Sequence, residues 1–178
     1  MKTTLLLMTM TLLGLFSGCK TTGGNAKAPQ QPAPTMPQGE LVEVDYHYQG
    51  MAMEMIGSPR LQRQTDGRAL LSFELYGQER QFEVSDTLLA AARAIIEEER
   101  MYEYGASYDL VMDGAMILDG YSWSFGATFL AADSTQVRLS SHGSNAEPDG
   151  DGLYRLRRLL TDAAMPFAQQ EMEQEQGR

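Results

Sequence analysis

Apolar residues occupy every second position from Val42 to Tyr48, and this period of two is typical of a strand with one buried side. Asp66-Gly67 lies between two further runs of strand character, which indicates a tight hairpin turn. Gly77-Gln78 marks a second turn before Phe82 and Val84. The first half of the folded region is therefore predicted to be a meander of antiparallel strands.

The period then changes to that of a helix. Apolar residues recur at helical spacing from Leu88 to Ile96, and Asp86 stands where a helix N-cap is expected. A second helical stripe runs from Leu153 to Ala163, and Pro166 predicts that this helix ends near Met165. With two strands between the helices, we expect an α+β domain over residues 40–166. Its expected order is ββββ-α-ββ-α, an antiparallel sheet with two helices on one face.

The two strands between the helices allow a prediction of register. A three-residue turn at residues 132–134 places Phe125 opposite Ser141 and makes the apolar faces of both strands coincide. The same register places Ser124 opposite His142 on the polar face. We therefore consider a hydroxyl-rich surface patch, with a solvated sheet face as the simpler interpretation. The candidate patch consists of Ser124, Arg138, Ser140, His142 and Asn145.

The N-terminus is predicted to carry a targeting signal. Lys2 precedes an apolar run from Leu5 to Phe16, which is too short to span a bilayer as a helix and is typical of a secretory signal. The run ends in Ser17-Gly18-Cys19, which resembles the lipobox of bacterial lipoproteins, although Phe16 departs from the usual aliphatic residue. This resemblance implies cleavage after residue 18 and lipid attachment to Cys19, the only cysteine of the chain.

The resemblance also implies a location. Lipoproteins that stay in the inner membrane commonly carry Asp after the cysteine, whereas this chain has Lys20, so we expect an outer-membrane lipoprotein that faces the periplasm. Residues 19–39 are rich in proline and polar residues and are expected to be a disordered tether, and residues 167–178 a polar acidic tail. The segments Asp119–Trp123 and Ser141–Pro148 resemble a small bacterial envelope domain, and the resemblance spans residues 41–165. No known activity comes with this resemblance.

Charge and composition limit the partners. The formal net charge is −10 at pH 7, and the loss of Lys2 with the signal makes it −11. Such a chain repels phosphate backbones, so nucleic acid is not an expected partner. The expected partners are the membrane, through the lipid anchor, and an envelope protein or glycan.

Motifs for catalysis are missing from the sequence, and no cofactor or metal is expected. Glu147–Gly152 spaces its carboxylates as a calcium loop begins, but Arg158 stands where that loop needs a glutamate, so a helix cap is the better interpretation. Met51, Met53 and Met55 are soft copper ligands if exposed, but their alternation predicts core positions.

Three functional hypotheses remain. The first is a membrane-tethered binding or assembly module of the envelope with an unknown ligand, which is not an enzyme. The second is a small envelope hydrolase that uses carboxylates or the face with Ser124 and His142. The third is periplasmic metal handling through Met51, Met53 and Met55.

We predict that Cys19→Ser abolishes membrane attachment and leaves the domain folded, because the lipobox lies outside the folded region. Fractionation after a high-salt wash measures attachment, and circular dichroism of the released protein measures folding. A Cys19→Ser protein that still sediments with membranes would place the anchor elsewhere in the chain.

Overall fold

The computed structural model describes residues 33–50, 54–110 and 120–177, which contain a seven-stranded sheet and two helices. The sheet has the order β4-β3-β2-β1-β6-β7-β5, so the first strand lies at its centre. The elements are β1 (Glu40–Gln49), β2 (Ile56–Arg63), β3 (Ala69–Leu75), β4 (Gln78–Val84), α1 (Thr87–Glu98), a 3-10 turn (Met101–Glu103), β5 (Ser107–Asp109), β6 (Ser122–Leu130), β7 (Gln136–Ser144) and α2 (Gly152–Gln176).

The predicted turn at Asp66-Gly67 is confirmed, and the second turn lies one residue earlier than predicted, at Tyr76-Gly77. Gly67 has a φ of +85°, and its N–H donates to the Gln64 carbonyl at 3.0 Å, which closes the β2–β3 hairpin. Tyr76 and Gly77 have φ values of 52° and 75°, and Leu75 pairs with Gln78. Two positive φ values in a two-residue loop match the twist of the strands they connect.

The register predicted for the next hairpin is also confirmed. Ser134 has a φ of 66° within the three-residue turn, and its N–H donates to the Ala131 carbonyl at 2.9 Å. Phe125 pairs with Ser141, and Ser124 pairs with His142. The alternation of buried and exposed positions fixes this register, because a slip of one residue would expose the aromatic face of β6.

The core lies between one face of the sheet and the two helices. Val44, near the centre of β1, pairs with Leu61 on one side and Ala127 on the other, and all three are fully buried. Both helices bury their apolar stripes in the same cluster, so the opposite face of the sheet is left uncovered by them. The helix residues that contribute are Leu89, Ala92, Ile95, Ile96, Leu153, Leu156, Leu160, Ala164 and Ala168.

The expectation of a purely antiparallel sheet with six strands is wrong, because β5 pairs with β7 in parallel. Ser141 Oγ donates to the Gly105 carbonyl at 2.7 Å, and the N–H of His142 donates to the Ala106 carbonyl at 3.2 Å. Tyr108 packs its ring 5.9 Å from Trp123. These contacts hold a three-residue strand that has no apolar alternation of its own, so no sequence period could reveal it.

The expectation that the last helix ends near Met165 is also wrong. Residues 167–176, assigned to the polar tail from sequence, belong to α2. Phe167 stacks on Phe82 with ring centroids 4.4 Å apart, and Glu171 accepts from Arg80 at 3.1 Å. Pro166 itself is exposed, so the helix continues because contacts on both sides of the proline offset its missing hydrogen bond.

Met55 is not the core residue that the alternation predicts, since 42% of its surface is exposed. It precedes β2 at a bend instead of lying within a strand, so the period of two does not extend to it. Met51 and Met53 lie outside the described residues, as does Cys19.

The two helix starts differ in detail from the expected caps. Asp86 and Asp151 occupy the N-cap positions of α1 and α2, but neither side chain makes a capping hydrogen bond. At α1, Ser85 Oγ instead accepts from the N–H of Thr87 at 3.3 Å. Within the part of the chain described, neither helix is both long and apolar enough to cross a membrane.

Replacing Pro166 by alanine restores the N–H that donates to the carbonyl four residues earlier. We expect Pro166→Ala to raise the free energy of unfolding by about 1–3 kcal/mol. Chemical denaturation measures this change. Gln170→Ala, another exposed position of α2, is the control and should alter stability by less than about 0.5 kcal/mol. A lower stability for Pro166→Ala would mean that packing of Phe167 requires the local geometry of the proline.

Candidate functional site

The uncovered face of the sheet brings together both histidines of the chain. His47 on β1 pairs with Ser124 on β6, and Ser124 pairs in turn with His142 on β7. Ser107 on β5 pairs with His142 from the other side, and Ser58 on β2 contacts His47. We call these five residues, which cross five adjacent strands, the histidine row. Both imidazoles are exposed.

One end of the histidine row contains a close contact. His47 Nδ1 and Ser58 Oγ lie 2.6 Å apart and form a hydrogen bond. Ser58 has a left-handed φ of 49° within an irregularity of β2 between Gly57 and Arg60. An irregularity of this kind reorients side chains of a strand, and it is frequent beside functional sites. A groove of about 320 Å³ at this point is lined by His47, Ser58, Glu54 and Glu74, among others.

Ion pairs border the histidine row on the same face. Arg138 donates to Asp45 at 2.6 Å and to Glu43 at 2.9 Å, and Arg60 donates to Glu43 at 2.8 Å. The Arg138 side chain passes over Gly126, where an added Cβ would lie 2.1 Å from its Nη2 atom. The absence of a side chain at Gly126 is therefore what lets the guanidinium cross strand β6 to reach strand β1.

The ion pairs change the titration of one carboxyl. Burial by itself would raise the pKa of Glu43, but the hydrogen bonds and charges of Arg60 and Arg138 outweigh burial and hold this pKa below its usual value. The Glu43 side chain is only 17% exposed, so water screens these interactions incompletely. The positive charge of Arg138 is balanced by Glu43 and Asp45, so this side chain is not a free cation for an anionic ligand.

The predicted surface patch is thus only partly one surface. Ser124, Arg138, Ser140 and His142 share the uncovered face, and Ser140 pairs with Gly126 beside the ion pairs. Asn145 has a different place at the end of the hairpin. It has a φ of 56°, and its Oδ1 accepts from the N–H of Tyr121 at 2.9 Å, so it closes the sheet end and does not face a ligand surface.

A larger groove adjoins the one at His47 and Ser58, since both are lined by Glu54, Gly57 and Glu74. It has a volume of about 540 Å³ and is lined by Glu54, Met55, Glu74 and Tyr76, with glycines between them. Tyr76 is 64% exposed, and its hydroxyl donates to the sulfur of Met172 at 3.3 Å. The groove is mostly apolar and holds no further group suited to acid–base chemistry.

Among the described residues, no group of three or more His, Cys, Asp or Glu side chains is placed to hold a metal ion. Asp45, the carboxylate nearest to His47 along β1, is paired with Arg138. Comparison with protein-family models, curated proteins and solved structures gives no match to this chain. Function must therefore be inferred from the site itself.

Sequence reasoning paired Ser124 with His142 but missed Ser58 and the position of His47. The side chains of Ser124 and His142 are not joined by a hydrogen bond in the part of the chain that the structure describes, whereas those of Ser58 and His47 are. The polar alternation of β1 did place His47 on the solvated face. Its neighbours depend on the pairing of β1 with β6, which no turn between them specifies.

Arg138→Met removes one partner of Glu43 and is expected to raise the pKa of that carboxyl toward its usual value. Because the folded-state pKa of Glu43 is lowered, its contribution to stability is present above the unfolded pKa and is lost as pH falls through the folded pKa. The variant should therefore be less stable than the parent by about 0.5–1 kcal/mol near pH 7, and the difference should shrink in acid.

Urea denaturation across this pH range and a carbon-13 NMR titration of Glu43 measure the two effects. Arg158→Met is the matched control, since Arg158 is an exposed arginine that pairs with Asp162 within α2. An unchanged Glu43 titration in Arg138→Met would contradict the assignment.

Proposed function

We propose that this chain is a membrane-tethered lipoprotein of the bacterial cell envelope whose uncovered sheet face binds a polar ligand. The lipobox at Cys19 and the proline-rich segment up to residue 39 support the tether. The observation that supports the ligand surface is the histidine row, because it presents exposed imidazole and hydroxyl groups on one continuous face.

The chemistry of this face favours a glycan as the ligand. Hydroxyl groups of serine both donate and accept, as do neutral imidazoles, and sugar hydroxyls need both kinds of partner. The adjacent cations, Arg60 and Arg138, already pair with Glu43 and Asp45, so the face offers little net positive charge. An uncharged, hydroxyl-rich ligand meets no unpaired charge here, whereas a polyanion would face an acidic protein.

A hydrolase is the second candidate, and the contact between His47 and Ser58 favours it. If Ser58 donates its hydroxyl proton to Nδ1 of His47, the oxygen becomes a stronger nucleophile. Glu54 and Glu74 line the same groove. In the described residues no carboxylate is hydrogen-bonded to His47, so the orienting third group of a triad is not formed.

Sedimentation with insoluble peptidoglycan sacculi tests the binding proposal with the full-length chain in detergent. We expect Ser124→Ala with His142→Ala to weaken binding about fivefold or more, because each lost hydrogen bond contributes about 1 kcal/mol. Gln81→Ala on β4 is the control, since it removes an exposed polar group from the far end of the same face.

Binding that is equal in all three proteins would refute the histidine row as the glycan surface. The same incubation distinguishes the second candidate. Release of soluble glycan fragments that stops in Ser58→Ala but continues in Ser124→Ala would identify a hydrolase that uses Ser58 and His47.

A further inference from the structure

His47 and His142 lie on two strands that are separated by one strand, and this spacing allows both side chains to bind the same metal ion. His47 and His142 are each paired directly with Ser124, and residues paired in this way point to the same face. Neighbouring strands lie about 4.7–4.9 Å apart, so the two histidine Cα atoms are separated by about 10 Å. These are the only histidines in the chain.

The residue between them leaves room for an ion. Two imidazole nitrogens that bind one Zn²⁺ at about 2.0–2.1 Å each lie at most about 4.2 Å apart, so the rings must lean toward each other. Ser124, which pairs with both histidines, has a short side chain over which the rings can lean. A large side chain at this position would fill that space.

The contact with Ser58 supports the same use of His47. When Nδ1 of a histidine donates to an oxygen, Nε2 keeps its lone pair and the ring is fixed in orientation, which is the usual arrangement of metal-bound histidines. Nδ1 of His47 lies 2.6 Å from Ser58 Oγ, so the tautomer with the proton on Nδ1 gives this arrangement. At the other end of the histidine row, Ser107 pairs with His142 and can serve that ring in the same way.

We propose that His47 and His142 together bind a divalent transition-metal ion, with zinc as the representative, on the uncovered sheet face. Imidazole is a preferred ligand of Zn²⁺ and Cu²⁺. Two protein ligands leave the remaining positions to water, so the ion is exchangeable and open to an additional ligand. Among the described residues no third ligating side chain joins the two histidines, and Asp45 is paired with Arg138 instead.

The test is calorimetric titration of the full-length chain in detergent with Zn²⁺. All variants retain Cys19 and the methionines Met51, Met53 and Met55, so any zinc binding through those residues is common to all. We expect one strong site in the parent protein and a loss of affinity of about tenfold or more in His47→Ala and in His142→Ala. Ser58→Ala should weaken binding by about tenfold, because its hydroxyl orients the ring.

An exchange of two residues provides the matched control. The double variant Ser140→His with His142→Ser keeps the composition of the chain and moves the imidazole two residues along the same exposed face of β7, about 6.5–7 Å. It should bind zinc as weakly as His142→Ala. Fluorescence of Trp123, the only tryptophan, confirms that each variant is folded.

Affinity that is unchanged in the exchanged variant overturns the proposal, as does a loss that follows only one of the two histidines. Histidine side-chain NMR gives an independent readout, because both imidazoles must shift together at one equivalent of Zn²⁺. The outcome is separate from glycan binding, since sacculi sedimentation in the presence of a chelator tests that function without the ion.

Discussion

The pairing of β1 with β6 joins the two halves of this sheet. On one side of it, β1 to β4 form a meander from consecutive hairpins, and on the other side β6 pairs with β7 and β7 with β5. Each half contains only part of the core, because Val44 of the first half and Ala127 of the second meet across this pair. The helices can bury their apolar stripes only when both halves form one surface. The same pairing places His47 beside Ser124, so the fold and the candidate site depend on one set of backbone hydrogen bonds.

The parts of the structure that were predictable from sequence are those specified by neighbouring residues. The hairpin at Asp66-Gly67 follows from residues that tolerate positive φ. The register of β6 and β7 follows from the parity of Phe125 and Ser141 around a short turn. The helical period from Leu88 to Ile96 specifies α1. In each case the information lies within a single helix, or within one turn and the two strands that it connects.

The parts that were not predictable depend on residues distant in sequence. Strand β5 exists because Tyr108 and the carbonyls near it meet β7, more than thirty residues later. Helix α2 continues beyond Pro166 because Phe167 and Glu171 find partners on β4. Only part of the histidine row was predicted from sequence. The alternation along β6 and β7 placed Ser124 beside His142, whereas His47 and Ser58 join them only through tertiary pairing. Many different polar residues are compatible with a solvated face, so the residues found there do not by themselves indicate a particular ligand.

The central position of β1 has a mechanical consequence. Arg93 of α1 donates to the carbonyl of Gly39, and an added Cβ at Gly39 would lie 2.3 Å from the Leu130 carbonyl oxygen, so the chain enters the sheet through a closely packed point. Any force applied through the residues before Glu40 therefore acts along a strand with partners on both sides. In antiparallel pairs the hydrogen bonds are perpendicular to the strands, so such a force shears many bonds at once and does not open them one by one. If the proposed tether transmits such a force, the domain is loaded in the direction in which a sheet resists best.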